Sequence, residues 1–333
     1  MNIAINGFGR IGRSIYRILS SKTDYKIVAI NDLSDANALA YLLRHDTVMG
    51  NFAGEVKIES SNLISPNQVV RIINEPNPEK LPWRECEVDI VVEATGIFRE
   101  KEQLEKHMKS GAKKVILTVP SKNEIDYTVV LGVNDEGINE NHNIISNASC
   151  TTNCLAPMAK VLHENFGIVE GVINTVHAYT NDQRLADVPH KDWRRARAAA
   201  ENIIPTSTGA ARAVGKVLPE LNGKLDRIAS RVPVPNGSAV DLFVKLESEV
   251  TVEKVNDAIL EASNSENFKN ILEYSDSPIV SKDIIGNSSS SIYDVRETRV
   301  LSANYLRTLN WYDNEWGYSN RVVDLIKRLN NFI

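Results

Sequence analysis

A glycine motif between a strand and a helix at the N-terminus constrains the fold of this chain more than any other feature. The strand-like run Asn2–Asn6 leads into Gly7-Phe8-Gly9-Arg10-Ile11-Gly12, and apolar residues at helical spacing follow. In such a G-x-G-x-x-G turn, Gly7 permits the tight turn, Gly9 lets the backbone approach a pyrophosphate, and Gly12 lets the helix pack closely on the strand. The start of that helix is suited to bind phosphates. The motif therefore predicts a dinucleotide-binding βαβ unit.

An acidic residue completes this pattern. A second strand-like run, Tyr25–Ile30, is followed by Asn31 and Asp32, and Asp32 lies twenty residues after Gly12. A carboxylate at that position binds the hydroxyls of an adenosine ribose and repels the 2′-phosphate of NADP. The alternative interpretation of Asp32 is an ordinary helix cap, since aspartate suits that position too. Together with the glycines, the spacing favours NAD as the cofactor.

Strands and helices continue to alternate through the first half of the chain. Five further segments show this alternation: the strand-like Val88–Glu93, Lys114–Thr118 and Tyr127–Leu131, and the helical Ala36–Arg44 and Lys101–Ser110. Such βαβ alternation predicts a Rossmann-type nucleotide-binding domain of the α/β class with a doubly wound parallel sheet. Ligands bind beyond the C-terminal ends of its strands. Thr95, Gly96 and Thr118 fall at these ends, so we expect them to border the cofactor.

A cysteine lies at the predicted start of a later helix. Asn143–Ser146 reads as a short strand, Ser149 supplies N-cap chemistry, and helical spacing runs from Cys154 to Leu162. Cys150 would then lie among backbone N–H groups at the positive end of a helix dipole. That environment lowers the pKa of a thiol from its usual value of about 8.5. The alternative is a small buried hydrophobic residue, but the position predicts a nucleophile facing the cofactor crevice.

The second half carries a histidine and two groups of anion-binding side chains. His177 ends a strand-like run, and an imidazole can take and return a thiol proton near neutral pH. Ala178–Glu201 has poor periodicity and is predicted to be a structured loop. Its basic residues form either a solvated face, a subunit contact or an anion site for a phosphorylated substrate. Thr206-Ser207-Thr208-Gly209 opens a predicted helix and is a second candidate phosphate cradle.

The remaining pattern predicts a different kind of domain. Ala239–Leu246 and Tyr305–Trp311 alternate like antiparallel strands with one covered face, and a strand-like run ends at Arg231. Glu315–Leu329 returns to helical spacing. Strands grouped in this way predict an α+β catalytic domain with a mostly antiparallel sheet.

Composition excludes several functions. The 333 residues carry a formal net charge of -5, which disfavours general binding to nucleic acid or anionic membranes, so we expect neither as a partner. We find no apolar run of membrane-spanning length and expect no signal peptide. Cys150 and Cys154 would lie one helical turn apart, a poor arrangement for a structural disulfide, and Cys86 is distant. A reducing, cytoplasmic location is the simplest interpretation, and we predict no metal site.

Taken in order, these motifs resemble those of the phosphorylating glyceraldehyde-3-phosphate dehydrogenases of bacterial type. The resemblance covers essentially the whole chain. It rests on the glycine motif preceded by Ala4-Ile5-Asn6, on Ser149-Cys150-Thr151-Thr152-Asn153-Cys154, His177-Ala178-Tyr179-Thr180, Thr206-Ser207-Thr208-Gly209-Ala210-Ala211, Arg231-Val232-Pro233, and Trp311-Tyr312-Asp313-Asn314-Glu315-Trp316-Gly317-Tyr318.

The resemblance implies a role for each site residue. Cys150 is the implied nucleophile, and His177 activates it. The implied NAD contacts are Arg10, Ile11, Asp32, Thr118 and Asn314. The implied site for the phosphate of the substrate consists of Thr180, Arg195 and Arg231, with Arg194 as the alternative to Arg195. The implied site for inorganic phosphate consists of Ser149, Thr151, Thr208 and Gly209.

The resemblance also implies a reaction and an assembly. The reaction is the NAD-dependent oxidative phosphorylation of glyceraldehyde 3-phosphate to 1,3-bisphosphoglycerate. Residues 1–149 and 315–333 would form the NAD-binding domain, and 150–314 the catalytic domain, of a homotetramer with the loop Ala178–Glu201 at a subunit interface. One departure is Glu75-Pro76-Asn77-Pro78, which lacks an arginine that many members have near the adenine.

Two alternatives remain open. One is erythrose-4-phosphate dehydrogenase, a relative with the same thiol and histidine. The other is a binding protein without catalysis on the same scaffold. A cysteine protease is disfavoured because it leaves the dinucleotide motif unexplained.

Overall fold

The structure, a computed structural model, describes all residues from Met1 to Ile333. The α-helices are α1 (Arg10–Ser20), α2 (Ala36–Arg44), α3 (Lys101–Lys109), α4 (Cys150–Phe166), α5 (Ala210–Val217), α6 (Val252–Ser263) and α7 (Trp316–Leu329). The first nine strands are β1 (Asn2–Asn6), β2 (Lys26–Asn31), β3 (Lys57–Glu59), β4 (Asn62–Ser65), β5 (Gln68–Ile73), β6 (Ile90–Glu93), β7 (Lys114–Leu117), β8 (Tyr127–Thr128) and β9 (Ile144–Ser146). The others are β10 (Ile168–Ala178), β11 (Ile204–Thr206), β12 (Leu225–Val232), β13 (Ser238–Leu246), β14 (Leu272–Ser275), β15 (Ser291–Asp294), β16 (Arg299–Ser302) and β17 (Tyr305–Tyr312). None of the helices combines the length and apolar composition that crossing a membrane requires.

The chain divides into two compact units. The first consists of Met1–Val129, Glu136–Ala148 and Ser319–Ile333, and the second of Val130–Asp135 and Ser149–Tyr318. The assignment of 1–149 with 315–333 to cofactor binding and of 150–314 to catalysis stays a prediction, because compactness does not reveal which ligand a unit binds.

A nine-stranded sheet organises the first unit. Its strand order is β3-β4-β5-β2-β1-β6-β7-β9-β8, and the strands from β5 through β8 pair in parallel. Central strands are buried on both faces, so their residues are apolar at consecutive positions, as in the fully buried Ile90, Val91 and Val92. β1 and β6 are parallel neighbours, and the order in which successive strands are added to the sheet reverses between them. Ligands of doubly wound folds bind at such a point.

One edge of this sheet differs from the predicted all-parallel arrangement. β3, β4 and β5 were absent from the sequence interpretation, and they form two antiparallel pairs. The predicted strand Tyr127–Leu131 is also shorter and ends at Thr128. A side chain explains this ending: Oδ1 of Asn134 accepts the Val130 N–H at 2.9 Å, which takes that donor away from a strand ladder. The first sheet is therefore mostly parallel.

An eight-stranded sheet organises the second unit. Its order is β11-β12-β10-β13-β17-β15-β14, with β16 beside β17. Most pairs are antiparallel, and β10–β12 and β14–β15 are parallel. The helix α4 packs on β10, β13, β15 and β17. The sequence interpretation missed α6 and β14 to β16, but the predicted fold class, a Rossmann-type domain plus an α+β domain, is confirmed.

The two faces of the second sheet have different surroundings. On one face, β10 contributes Ile173, Thr175 and His177, which are all buried beneath the helices. On the other face, apolar side chains of four adjacent strands lie exposed at 40 to 53%: Val172, Ile228, Phe243 and Tyr305. The strand register puts them on one side, since Val172 pairs with Phe243 and positions two apart share a face.

Candidate active site

Cys150 is the first residue of α4, as predicted. Oγ of Ser149 caps the helix by accepting the Thr152 N–H at 3.1 Å. The preceding Ala148 has φ of 53°, in the left-handed region that glycine usually occupies, so the chain turns sharply before the helix. The backbone N–H groups of Thr151 and Cys150 donate to the sulfur. A strand, a strained turn and a capped helix thus fix the thiol at the N-terminus of α4.

His177, near the end of β10, is the partner of this thiol. Its Nε2 lies 3.5 Å from Sγ of Cys150. The ring packs edge-on against Tyr312, with centroids 5.9 Å apart. A thiol within hydrogen-bond reach of an imidazole is the arrangement of an activated nucleophile.

Burial has the largest effect on the pKa of Cys150 and on that of His177. It raises the pKa of the Cys150 thiol above its usual value, although Arg231 and the N–H groups act in the opposite direction. Burial, and then the charge of Arg231, lowers the pKa of His177 to about 3. The pair at neutral pH is therefore a thiol beside a neutral imidazole. This corrects the sequence-based expectation of a lowered thiol pKa, because the helix terminus acts as expected but desolvation outweighs it.

Arg231 approaches the histidine from the neighbouring strand. Parallel pairing of β10 with β12 places His177 opposite Arg231. The guanidinium donates to the carbonyl oxygen of Ala178 at 2.8 Å and also contacts Nδ1 of His177. The same Nδ1 lies 2.7 Å from the Ala178 oxygen. His177 can act as a base in the tautomer whose Nδ1–H donates to that oxygen, because the lone pair of Nε2 then faces the thiol. In this tautomer the guanidinium, which only donates, contacts Nδ1 without a hydrogen bond to it.

Arg195 is the arginine of the loop that reaches the anion-binding segment. Its Nε and Nη2 donate to Oγ1 of Thr206 at 2.9 and 2.8 Å, and Nη1 pairs with Asp182. Its charge contributes to lowering the pKa of Arg231, whose largest cause is burial. The side chain of Arg194, in contrast, is exposed. Arg195, and not its neighbour, is therefore the arginine of this loop whose charge acts on Arg231.

The other predicted phosphate ligands lie at turns and helix starts. Gly209 precedes α5, and a Cβ there would meet no atom within 4 Å, so the start of α5 is accessible. Thr208 holds this turn, because its Oγ1 accepts the Ala210 N–H at 3.2 Å and its carbonyl accepts from Arg227. Thr180 donates its N–H to Gln183 at 3.3 Å. No contact joins Thr180 directly to the Cys150–His177 pair.

The glycine loop of the first unit fits a dinucleotide pyrophosphate. Gly7 has φ of +95°, and a Cβ there would lie 2.7 Å from the Thr95 nitrogen. A Cβ on Gly12 would lie 2.2 Å from the Gly7 oxygen, whereas one on Gly9 would meet nothing within 4 Å. The helix α1 begins without a side-chain cap or an acidic residue in its first turn. Two glycines thus allow close packing, and the third leaves an open approach to a helix N-terminus.

Asp32 links the second strand to this glycine loop. Its Oδ2 accepts the Phe8 N–H at 2.8 Å and its Oδ1 accepts the Ser34 N–H at 2.9 Å. Asp35, and not Asp32, caps α2, with N–H donors from Asn37 and Ala38. The alternative interpretation of Asp32 as a helix cap is therefore wrong.

The remaining cofactor candidates lie at the start of α1 or just beyond the ends of strands. Arg10 at the start of α1 forms an ion pair with Asp46 at 2.5 Å, and Ile11 follows it. Gly96 has φ of +71° and open space at its Cα. Thr118 donates from Oγ1 to the Glu93 carbonyl at 3.0 Å. In the second unit, Oδ1 of Asn314 accepts from Ser238 at 2.7 Å, which leaves its amide N–H groups as donors for a ligand.

Comparisons with known proteins identify the family. Residues 1–101 match the family model described as glyceraldehyde 3-phosphate dehydrogenase, NAD binding domain, and residues 149–314 match the C-terminal domain of the same family. Glyceraldehyde-3-phosphate dehydrogenase of Geobacillus stearothermophilus is 55% identical over 326 residues, which is 98% of this chain and 97% of that protein. The proteins of the same name from Streptomyces coelicolor and Borreliella burgdorferi are each 54% identical, over 98 and 99% of this chain and 97 and 99% of their own.

The chain belongs to the glyceraldehyde-3-phosphate dehydrogenase family. The family predicted from the sequence is thereby confirmed, and so are the NAD-binding domain and the class of NAD-dependent oxidoreductase. The roles of single residues are a separate matter and stay predictions.

A buried hydroxyl network that the sequence motifs do not reveal lies beside the thiol. The Tyr312 hydroxyl lies 2.9 Å from both Oγ1 of Thr151 and Oγ1 of Thr175. Burial raises its pKa well above the usual value, so it stays a neutral phenol. Tyr312 belongs to the family-like run around Trp311, but nothing in that run indicated which face its side chain occupies. The alternation of β10 was the one signal that pointed to Thr175, since it shares a face with His177.

Proposed function

We propose that this protein oxidises D-glyceraldehyde 3-phosphate to 1,3-bisphosphoglycerate with NAD and inorganic phosphate, a step of glycolysis. The observation that carries the proposal is the 3.5 Å approach of His177 Nε2 to the Cys150 sulfur at the N-terminus of α4. The relatives that share 54 to 55% identity over nearly the whole chain carry the name of this activity.

The first half-reaction forms a thioester on Cys150. Its Sγ adds to the aldehyde carbon, and the thiol proton passes to the carbonyl oxygen, with Nε2 of His177 as the carrier, to give a hemithioacetal. When bound, NAD supplies the oxidant that accepts a hydride from this carbon. His177 takes the hydroxyl proton in the same step, and its low pKa keeps it in the base form that this task needs. The thioester retains the energy of the oxidation.

The second half-reaction releases an acyl phosphate. An oxygen of inorganic phosphate attacks the thioester carbon, and the carbon–sulfur bond breaks to return the Cys150 thiolate. Backbone N–H groups at the start of α4 are suited to stabilise the oxyanion of the tetrahedral intermediate. Arg231 favours the departing thiolate, since its charge lowers the pKa of the thiol.

We assign two anion sites to the second unit. Thr180, Arg195 and Arg231 would bind the phosphate of the substrate, and the effect of the Arg195 charge on the pKa of Arg231 supports this grouping. The residues assigned to inorganic phosphate are Ser149, Thr151, Thr208 and Gly209. Ser149 precedes α4 and Thr151 is its second residue, whereas Thr208 and Gly209 precede α5. All four thus lie at helix N-termini, where anions bind.

The cofactor assignment rests on the first unit and on Asn314. The residues that would hold NAD are Gly7, Gly9, Arg10, Ile11, Gly12, Asp32, Thr95, Gly96, Thr118 and Asn314. The glycine geometry, the hydrogen bonds of Asp32 and the orientation of Asn314 by Ser238 support the assignment.

The decisive experiment follows absorbance of NADH with glyceraldehyde 3-phosphate and NAD, with and without phosphate. We expect sustained turnover only with phosphate, and a burst of about one NADH per subunit without it, because the thioester then accumulates. Sustained turnover without phosphate would contradict the phosphorylating reaction. The same assay with erythrose 4-phosphate in place of glyceraldehyde 3-phosphate tests the alternative substrate. If neither aldehyde leads to formation of NADH, the alternative of a binding protein without catalysis is favoured.

We further propose a homotetramer located in the cytoplasm. The exposed apolar face of β10, β12, β13 and β17 supports association, because Val172, Ile228, Phe243 and Tyr305 form one patch on it. Contacts between identical subunits usually cover such a patch. The three cysteines are all free thiols, which fits a reducing compartment.

A further inference from the structure

A buried carboxylate lies beneath the cofactor-binding edge of the first sheet. Glu93 is the last residue of β6 and is fully buried. No residue role described above includes its side chain. Burying a carboxylate is costly unless hydrogen-bond donors compensate it.

Four donors surround this carboxylate. Oε2 accepts from Nδ2 of Asn6 at 2.6 Å and lies 3.0 Å from Nε2 of His107. Oε1 accepts from the N–H and from the hydroxyl of Thr95, at 2.9 and 2.5 Å. Each oxygen thus faces two donor groups, an arrangement that suits a carboxylate.

A tryptophan fixes the proton of the histidine. Nε1 of Trp83 donates to Nδ1 of His107 at 3.0 Å. An indole nitrogen only donates, so Nδ1 must be the acceptor and the ring proton must lie on Nε2, where it donates to Glu93. Protonating Nδ1 would set two N–H groups against each other. The buried Trp83 therefore fixes the tautomer of His107 and aims its Nε2–H at the carboxylate.

The network reaches the end of each strand that precedes a predicted NAD contact. Asn6 ends β1 just before Gly7, and its Oδ1 accepts from Asn31 at 2.7 Å, which ends β2 just before Asp32. Thr95 lies against Gly7, and Thr118 donates to the Glu93 carbonyl. The carboxylate of Glu93 thus connects the loops after β1, β2 and β6, and the backbone carbonyl of the same residue connects the loop after β7.

We infer that Glu93, held by His107 and Trp83, is the positioning residue that sets the geometry of the NAD-binding loops. It touches no ligand itself. It acts by fixing Thr95 and Asn6, and through Asn6 the segment that carries Asp32. This inference rests on the proposed function, since it takes NAD as the occupant of these loops.

The test is the affinity of Glu93→Gln for NAD, measured by titration calorimetry. The amide has the same shape, but its NH₂ group must face two donors. We expect NAD to bind about 10- to 100-fold more weakly, the usual worth of hydrogen bonds to a charged group. The KM for NAD should rise, while the rate of Cys150 alkylation without NAD should stay unchanged, because that thiol lies in the other unit.

A matched control separates positioning from stability. Tyr16→Phe removes another buried hydrogen bond of the same unit, between the tyrosine hydroxyl and Oγ of Ser65 at 2.8 Å. We expect it to lower the melting temperature without weakening the binding of NAD. Wild-type affinity in Glu93→Gln would overturn the inference, and so would an equal loss in Tyr16→Phe. If Glu93→Gln does not fold, Trp83→Phe replaces it, and its affinity for NAD should be about 2- to 10-fold lower than that of the wild type. An unchanged affinity in Trp83→Phe would also overturn the inference. Failure of the wild-type protein to bind NAD would instead contradict the proposed function.

Discussion

Nε2 of His177 faces Sγ of Cys150 at 3.5 Å, although the two residues reach this point from different elements. One begins α4 and the other lies at the buried end of β10. Both backbones are regular at these positions, so the distance depends on helix-to-sheet packing. Substitutions that shift α4 against the sheet should therefore change this distance.

The two cysteines of α4 should differ sharply on substitution. We expect Cys150→Ser to abolish phosphorylating oxidation and to leave NAD binding largely intact, because an alkoxide is far harder to form than a thiolate. Cys154→Ser is the matched control. Its sulfur is fully buried against Ser291 and the Asn310 carbonyl, so we expect a loss of stability and not of chemistry. Wild-type turnover in Cys150→Ser would remove the nucleophile assignment.

Different residues supply the base for the Cys150 thiol and the charge that stabilises its thiolate. We expect His177→Asn to lower kcat by about 10²- to 10⁴-fold, the usual worth of a positioned acid–base group. Since the pKa of His177 is about 3, it is neutral at pH 7 and supplies no charge to the thiolate. Arg231 does supply charge, and its removal should raise the pKa of Cys150.

Alkylation of Cys150 by iodoacetamide as a function of pH measures this difference. The midpoint should lie above the usual thiol value of about 8.5 in the wild type and move higher in Arg231→Ala, with little change in His177→Asn. A wild-type midpoint below that value would mean that the helix N-terminus outweighs burial.

The neighbouring arginines of the loop provide a matched pair for the substrate phosphate. Arg195→Ala should reduce kcat/KM for glyceraldehyde 3-phosphate more than for unphosphorylated glyceraldehyde, because the guanidinium binds phosphate through charge-assisted hydrogen bonds. Arg194→Ala should affect neither, since its side chain is exposed. Equal losses with both aldehydes in Arg195→Ala would point to a structural role through Thr206 and Asp182.

Two aspartates of one loop separate cofactor choice from helix capping. We expect a strong preference for NAD in the wild type. Asp32→Ala should narrow it, because a ribose acceptor is lost and repulsion of the 2′-phosphate is relieved. Asp35→Ala should cost about 1 kcal/mol of stability through the α2 cap and leave the preference unchanged. The measurement is the ratio of kcat/KM with NAD to kcat/KM with NADP. If this ratio is the same in Asp32→Ala as in the wild type, the assignment of Asp32 to the ribose is wrong.

The exposed sheet face should control assembly. Phe243→Asp puts a charge into the apolar patch, where burial against another subunit would be costly. We expect a smaller oligomer by sedimentation. The control Leu260→Asp changes an apolar side chain of α6 that is as exposed as Phe243 and belongs to no strand of this face. A tetramer in Phe243→Asp would show that this face is not an essential contact.

Much of the fold and the site could be predicted from the sequence alone. Helix α2 has the predicted bounds, the glycine loop lies between β1 and α1, and Ser149 caps the helix that begins at Cys150. Each of these features depends on residues within about ten positions of one another, because caps, turns and periodicity are local. Family membership followed from the order of such local motifs.

Tertiary structure decided the chemistry of the thiol. The sequence indicated a lowered pKa for Cys150, but desolvation by distant elements raises it. The register of β10 against β12 brings Arg231 to His177 across 54 positions, and β17 brings Tyr312 to Thr151. Burial and register depend on which distant segments meet, and no local pattern carries that information. The sequence alone therefore determined which groups are present and where helices and strands begin, whereas packing determined their protonation and their partners.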